Sequence, residues 1–137
     1  MKTEEIKIKR KFIIRLEPGD EIIQSVNNFC WQEGIEGGYF IGLGAVDNLK
    51  IARYLPEKKS YEEKEFTQPL EIVSLFGIYS PDGIHCHIVV SDRNFISFGG
   101  HLRSGKINAT AEIIFYEIGG ELKRSLDKDL NLNLLKL

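Results

Sequence analysis

Beyond Gly34 the apolar residues of this sequence recur at every second position, and this period governs most of the chain. Over residues 49–55, for example, Leu49, Ile51 and Leu55 fall on one side of an extended chain. Successive side chains of a β-strand point to opposite faces, so this period predicts strands. Turn-forming residues interrupt it at hairpin spacing. The interruptions are Asp47-Asn48, Pro81-Asp82-Gly83, Asp92-Arg93-Asn94 and Gly119-Gly120.

One earlier segment follows the helical period instead. Its apolar stripe consists of Ile22, Val26, Phe29 and Cys30. The preceding Pro18-Gly19-Asp20-Glu21 predicts the helix start, because acidic residues suit the positive end of the helix dipole. Gly34 predicts the helix end, since glycine readily adopts the left-handed conformation found there. A single amphipathic helix therefore precedes the strands.

The chain is predicted to be one α+β domain over residues 1–137, with the N-terminal helix packed on a mostly antiparallel sheet. A chain of 137 residues, 42% of them hydrophobic, has the size of one domain with a real core. The run 70–79 is expected to be a buried strand, and Asp47-Asn48 is expected to be a hairpin turn. Residues 56–67 form an exposed edge strand or a loop. The other predicted strands are 6–16, 38–46, 49–55, 84–91, 95–98, 107–118 and the alternating leucines at 130, 132 and 134.

The charge balance argues against binding nucleic acid by charge alone. Lys and Arg total 18 against 20 for Asp and Glu, a net charge of -2. Proteins that bind DNA electrostatically usually carry a basic excess, so we expect at most a weak or indirect DNA association. The one basic cluster, Lys7, Lys9, Arg10 and Lys11, is interpreted as a solvated strand end rather than a nucleic-acid contact.

The same sequence gives expectations about location. No apolar run is long enough to cross a membrane, and the charged N-terminus lacks the apolar core of a signal peptide. Cys30 and Cys86 are the only cysteines, and two cysteines make no disulfide framework. The expected location is therefore the cytoplasm.

The three histidines, His85, His87 and His101, all fall in one stretch of the chain. His85 and His87 are two residues apart on a predicted strand, so both point to the same face and can reach one metal ion. Gly99-Gly100 is expected to let the backbone come close and swing His101 back as a third ligand. Three histidines with an open fourth position is the pattern of catalytic zinc sites. The alternative is that each histidine is an ordinary core or surface residue.

Two other patterns are interpreted as packing. Cys86 points away from the histidines and is expected to be a small buried residue, as is Cys30 on the helix stripe. Gly42-Leu43-Gly44 lacks the third glycine and the following helix of a dinucleotide-binding motif, so it indicates close backbone contact inside a sheet.

Four charged residues have two interpretations each. Glu71 and Glu112 lie inside strongly apolar strands, where each is a possible general acid or base beside a metal, or a solvated side chain on the outer face. Arg53 and Arg103 either bind an anion or are solvated.

Several segments, in this order, resemble the plants and prokaryotes conserved (PPC) domain. They are Arg15-Leu16-Glu17-Pro18-Gly19-Asp20-Glu21, Gly34-Ile35-Glu36-Gly37-Gly38, Ile41-Gly42-Leu43-Gly44-Ala45, Pro69-Leu70-Glu71-Ile72-Val73-Ser74-Leu75, His85-Cys86-His87 and Gly99-Gly100-His101-Leu102. The resemblance covers nearly the whole chain. It implies a small stand-alone α+β protein, a homotrimer, and a metal site, of zinc, at His85, His87 and His101.

Two functions of different classes follow from this resemblance. The family is usually described as DNA-binding, which implies a regulatory module with a structural or regulatory metal. The fold also resembles acetolactate decarboxylase, an enzyme with a three-histidine zinc site, which implies a lyase-like enzyme on a small oxygen-rich substrate. A basic patch would favour the first function, and a concave pocket beside the metal, lined by an arginine and a glutamate, would favour the second.

Overall fold

Strands dominate the chain, as the period of two predicts. The computed structural model describes residues 1–137 and contains one helix and eight strands. They are β1 (Ile8–Leu16), α1 (Ile22–Gln32), β2 (Gly38–Leu55), β3 (Ser60–Phe66), β4 (Leu70–Ser80), β5 (Gly83–Ser91), β6 (Ser97–Ile118), β7 (Arg124–Asp127) and β8 (Leu132–Leu135). With only 11 residues, the helix falls short of the length needed to cross a membrane.

Six strands form one sheet in the order β1-β6-β5-β4-β2-β3, and every pairing in it is antiparallel. Strand β6 also pairs with β2, so β2, β4, β5 and β6 form a closed ring. Strands β7 and β8 form a separate two-stranded sheet. The charged β3 lies at the sheet edge. Of the two alternatives for residues 56–67, an edge strand or a loop, the edge strand is therefore confirmed.

The helix is capped and joined to the sheet at its N-terminal end, and the α+β prediction is confirmed. Glu21 caps its start by accepting a hydrogen bond from the Gln24 amide at 2.7 Å. The other carboxylate oxygen of Glu21 accepts from the Gly105 amide on β6 at 2.9 Å. Gly34 ends the helix with φ +63°, as predicted. The interior side chains, all buried, include Ile22, Val26, Cys30, Phe40, Leu75, Ile88, Ile113 and Phe115.

One predicted turn and the predicted end of a strand at residue 98 are wrong, because each lies inside a long strand. Asp47-Asn48 belongs to β2, where Asn48 has φ +47° and the register against β6 shifts between Asp47 and Lys50. This is a β-bulge, which asparagine tolerates because its side chain accepts the left-handed conformation. Likewise Gly99-Gly100 lies within the 22-residue β6. Pairing of Asp47 with Lys106, and of Gly99 and Gly100 with β5, keeps both segments within their strands.

Strand β4 also departs from expectation. Residues 70–79 were predicted to be buried, but Val73 and Phe76 are 56% and 48% exposed. Helix α1 covers only one side of the sheet, so the outer face of β4 remains uncovered. Both faces of β4 are therefore apolar, but only one of them is buried.

Candidate metal centre

The alternation of strand β5 presents two histidines on one face, as predicted. His85 and His87 are exposed, whereas Cys86 between them points inward and is 1% exposed. The Nε2 atoms of His85 and His87 lie 3.1 Å apart. Burial raises the pKa of the Cys86 thiol to about 12, which keeps it protonated and unsuited to binding metal.

The third histidine joins them through strand pairing. His101 on β6 lies directly opposite His87 on β5. One ring nitrogen from each of the three histidines lies within 4.8 Å of the others. The expected backward swing of the backbone at Gly99-Gly100 is therefore wrong, whereas the expected close approach is confirmed. Gly99 and Gly100 instead let strands pack closely, because a Cβ on Gly99 would lie 2.2 Å from the carbonyl oxygen of Ile88.

Burial and nearby positive charges keep two of these imidazoles neutral. Burial lowers the pKa of His101 to about 4, with a further contribution from Arg103. Partial desolvation of its ring also lowers the pKa of His85, followed by the effects of His87 and Arg124. Both rings are therefore neutral at pH 7, which is the form that ligates a metal. The Nδ1 atom of His101 is buried and has no hydrogen-bond partner within the protein.

A cavity of about 430 Å³ adjoins the histidines. His85 and His101 line one side of it, and Arg103 and Arg124 contribute two guanidinium groups. An apolar wall comes from β4, β5 and β8, and consists of Ile78, Ile84, Leu132, Leu134 and Leu135. The volume suits a small molecule, and the combination of an apolar wall with a few convergent polar groups is typical of ligand sites.

The sheet of β7 and β8 closes this cavity through Arg124. The Arg124 amide donates to Asp82 Oδ2 at 2.8 Å, and its Nε donates to Ser80 Oγ at 3.2 Å. Its Nη1 donates to the carbonyl oxygen of Asn133 at 3.3 Å. Sequence reasoning missed Arg124 and Asp82. The one available signal was the position of Asp82 in the turn immediately before His85.

Arg103 stands two residues after His101 and reaches the same cavity. Its Nε pairs with Glu63 Oε1 at 3.1 Å, and its guanidinium carbon lies 4.4 Å from the centre of the Tyr61 ring. The Tyr61 ring in turn lies 5.3 Å from the His101 ring, centre to centre. Tyr61 therefore holds both an arginine and a histidine in position at the cavity.

The other charged candidates lie outside the cavity. Glu112 is exposed opposite Arg15 of β1, and Glu71 is exposed opposite Ala45 and Ser91. Arg53 is exposed and pairs with Glu62 at 3.6 Å. Since none of the three lines the cavity, the solvated interpretation holds for them.

The glycine motif is a packing feature, as interpreted. A Cβ on Gly44 would lie 2.3 Å from the carbonyl oxygen of Thr110 on the paired strand, and Gly44 has φ +150°. Only glycine fits there without strain.

A family model matches residues 3–119 of this chain, and it describes the Plants and Prokaryotes Conserved (PCC) domain. This is the family named above from sequence resemblance. The matched segment contains all three histidines and ends before Arg124.

Much longer curated proteins are similar to this chain over part of their length. The Bifunctional protein GlmU of Synechococcus sp. (strain JA-3-3Ab) is 37% identical over 106 residues, which are 77% of this chain and 17% of that protein. The chain thus spans about a sixth of the length of the curated relatives it matches.

Three solved structures share the fold over nearly their whole length. A PPC protein from Pyrococcus horikoshii is 34% identical with a TM-score of 0.92, covering 100% of this chain and 98% of its own. A metal-containing protein from Archaeoglobus fulgidus is 30% identical with a TM-score of 0.90, covering 100% of both chains. A candidate DNA-binding protein from Bacteroides thetaiotaomicron is 28% identical with a TM-score of 0.87, covering 96% of both.

Proposed function

This chain belongs to the Plants and Prokaryotes Conserved domain family, and we propose that it is a metal-dependent member that binds and polarises a small oxygen-rich molecule. The observation that carries the proposal is the convergence of three imidazoles beside a cavity that also holds two guanidinium groups. In this proposal the chain is a lyase-like enzyme rather than a purely structural module.

The donor set fits zinc. Zinc–nitrogen bonds of 2.0–2.1 Å in tetrahedral geometry place ligand nitrogens about 3.3 Å apart. The separation of 3.1 Å between His85 and His87 is close to that value. Neutral imidazoles are ligands that zinc accepts, and the unpartnered buried Nδ1 of His101 is a donor atom without a protein partner. His85, His87 and His101 would therefore hold the ion.

The protein's own groups would supply the rest of the site. A bound zinc ion acts as a Lewis acid on carbonyl oxygens and lowers the pKa of a bound water. Arg103 and Arg124 would orient an anionic substrate in the cavity, and the leucines of β8 would exclude water from its apolar side. Neither Glu71 nor Glu112 takes part, because both are exposed away from the cavity.

Zinc uptake tests the proposal directly. Protein stripped with a chelator and then titrated with zinc at pH 7 is expected to bind one ion per chain and to unfold at a higher temperature. Binding to the folded state alone raises stability by about 4 kcal/mol at a thousandfold excess over Kd. Isothermal calorimetry and thermal denaturation measure the two effects. A chain that takes up no zinc would contradict the proposal.

An uncovered apolar face supports a homotrimer as part of the proposal. Ile41 on β2 lies directly opposite Phe76 on β4 and Ile114 on β6, and the three side chains are 41%, 48% and 40% exposed. Ile13 of β1 extends the same row, at 85% exposure. A contiguous apolar row across four strands is a surface that subunit association would bury.

Sedimentation tests this association. The wild-type protein is expected to have three times the mass of the 15.6 kDa chain at micromolar concentration. Ile41→Lys places a charge in the centre of the apolar row and is expected to give monomers. The matched control, Trp31→Lys, changes an 82% exposed residue on the helix and should leave the mass unchanged. A monomeric wild type would contradict the trimer.

DNA binding is the second candidate, favoured by the description of the Bacteroides thetaiotaomicron protein. The basic cluster gives it little support. Lys9 pairs with Glu117 at 3.0 Å, and Arg10 pairs with both Glu117 and Glu33. Glu117 is 2% exposed, so releasing these cations to bind phosphates would leave a buried carboxylate unpaired.

We therefore expect only weak binding to duplex DNA at physiological salt. With few free cations to displace counterions, the salt dependence of binding should also be shallow. Fluorescence anisotropy at two or more salt concentrations measures both. Tight binding whose affinity falls steeply with salt concentration would instead support the DNA-binding module.

The proposal places the chain in the cytoplasm. Its two cysteines are both free and buried, which suits a compartment where thiols remain reduced.

A further inference from the structure

The guanidinium group of Arg124 forms no ion pair with a carboxylate. Its side-chain partners are a hydroxyl and a backbone carbonyl, on Ser80 and Asn133. The nearby carboxylate of Asp82 accepts from the Arg124 backbone amide instead. The remaining nitrogen, Nη2, is buried and has no hydrogen-bond partner. Because this guanidinium lines the cavity without a carboxylate partner, it is a group that an anionic ligand can bind.

The pKa of Arg124 agrees with this description. Burial lowers it from the ordinary value, and the opposing effect of Asp82 is smaller. The guanidinium is thus partly desolvated without full compensation, which is the state in which an added anion interacts most strongly.

Arg103 provides a second guanidinium in the same cavity. Only its Nε forms an ion pair, with Glu63, and Tyr61 supports its flat face. Arg103 follows His101 by two residues on one strand, so both side chains point to the same face of β6. The two arginines and the histidine cluster therefore lie around one space.

We propose that this cavity binds a small organic dianion, with one anionic group on Arg124 and Arg103 and another oxygen beside the three histidines. The inference rests on the proposed function and adds the charge and chemical class of its ligand. A divalent ion on neutral imidazoles and two arginines, set against the carboxylates of Asp82 and Glu63, leaves two uncompensated positive charges. Phosphate monoesters and dicarboxylates share the required chemistry, because guanidinium groups bind both in bidentate fashion.

The opposite wall of the cavity indicates that the non-ionic part of this ligand is apolar. Ile78, Ile84 and the β8 leucines make that side apolar, and the cavity of about 430 Å³ has room for more than an inorganic ion. Arg124 and β8 lie beyond residue 119, outside the part of the chain that the family model matches. The dianion subsite is thus built partly by the C-terminal segment that follows the matched domain.

Calorimetric titration of the zinc-loaded protein tests this subsite. The probes are phenyl phosphate, succinate and acetate, which represent a phosphate monoester, a dicarboxylate and a monoanion. Both dianions, or one of them, should bind at least tenfold more tightly than acetate, and the tighter one identifies the source of the anionic group. Equal binding of acetate, or no binding of either dianion, would overturn the inference.

Three variants assign the binding to the arginines. Arg124→Lys retains the charge but loses the planar fork, and should weaken dianion binding about tenfold. Arg103→Gln, which does not touch the β7–β8 sheet, should weaken it about tenfold or more. Arg53→Gln removes an exposed arginine outside the cavity and should change nothing. Unchanged dianion binding in both cavity variants would overturn the inference.

Zinc content, measured on the same samples, distinguishes failure of the dianion subsite from failure of the proposed zinc-dependent function. If the protein holds one zinc ion per chain but dianion binding is unchanged in both arginine variants, only the dianion subsite is refuted. Absence of zinc refutes the proposed function. If the protein holds no zinc but still binds the dianions weakly, and this binding depends on Arg124 and Arg103, the subsite is supported. If the zinc-free protein binds no dianion, both proposals are refuted.

Discussion

Replacing His87 with alanine is expected to lower zinc affinity by about a hundredfold or more. His87 is the central member of the cluster: its Nε2 lies 3.1 Å from that of His85, and His101 is its direct partner on the neighbouring strand. Losing a residue that merely orients a ligand typically costs 10–100-fold in affinity, so losing a ligand should cost about a hundredfold at the least. Elemental analysis of the purified protein, followed by zinc titration, measures the loss.

Cys86→Ser is the matched control for this experiment. Cys86 is adjacent to His87 in sequence, but its side chain points into the core on the opposite face of β5. The substitution should leave the zinc content unchanged, although a buried hydroxyl is expected to cost about 1–3 kcal/mol of folding stability. Equal zinc in the wild type and His87→Ala would contradict the three-histidine site. Loss of zinc in Cys86→Ser would contradict the assignment of strand faces.

Gly99→Ala is expected to destabilise the fold and remove the metal site together. A Cβ at this position would lie 2.2 Å from the carbonyl oxygen of Ile88 and 3.0 Å from the Cα of Val89. Both contacts are with backbone, so relief requires β5 and β6 to separate. Since His87 and His101 pair two residues away, that separation also moves the ligands apart. We expect a loss of about 3 kcal/mol or more in the free energy of unfolding, at the upper end for overpacking.

Gly119→Ala is the control for inserting a methyl group. A Cβ there would meet only the carbonyl oxygen of Lys7, at an ordinary contact distance of 3.7 Å. Its effect should be within about 0.5 kcal/mol, as for most substitutions away from special features. Urea denaturation and zinc content of both variants, compared with the wild type, test the pair. A Gly99→Ala protein as stable as Gly119→Ala would show that β5 and β6 are not in the close contact described.

The features that the sequence predicted well are those set by local periodicity. Helix α1 begins after Glu21 and ends before Gly34, because the cap, the apolar stripe and the left-handed glycine are all properties of nearby residues. The opposite directions of His87 and Cys86 also follow from the period of a single strand. Neither needs knowledge of what the rest of the chain does.

The two long strands were missed for a physical reason. Asp47-Asn48 and Gly99-Gly100 have turn-forming composition, and local propensity alone favours bends there. Strand β6 pairs with β1, β2 and β5, and its ladder of hydrogen bonds overrides that preference. Pairing between residues far apart in sequence is a property of the whole sheet.

The features of the candidate site likewise fall into those that the sequence predicts and those that depend on the tertiary structure. The sequence by itself determined the single helix, the predominance of strands, the family, the shared face of His85 and His87, and the inward direction of Cys86. Only the tertiary structure decided that His101 faces His87 across a strand pair, that Arg103 and Arg124 share their cavity, and that Glu71 and Glu112 do not. Side-chain direction repeats every two residues along one strand, whereas neighbours across strands depend on a register that all the strands establish together.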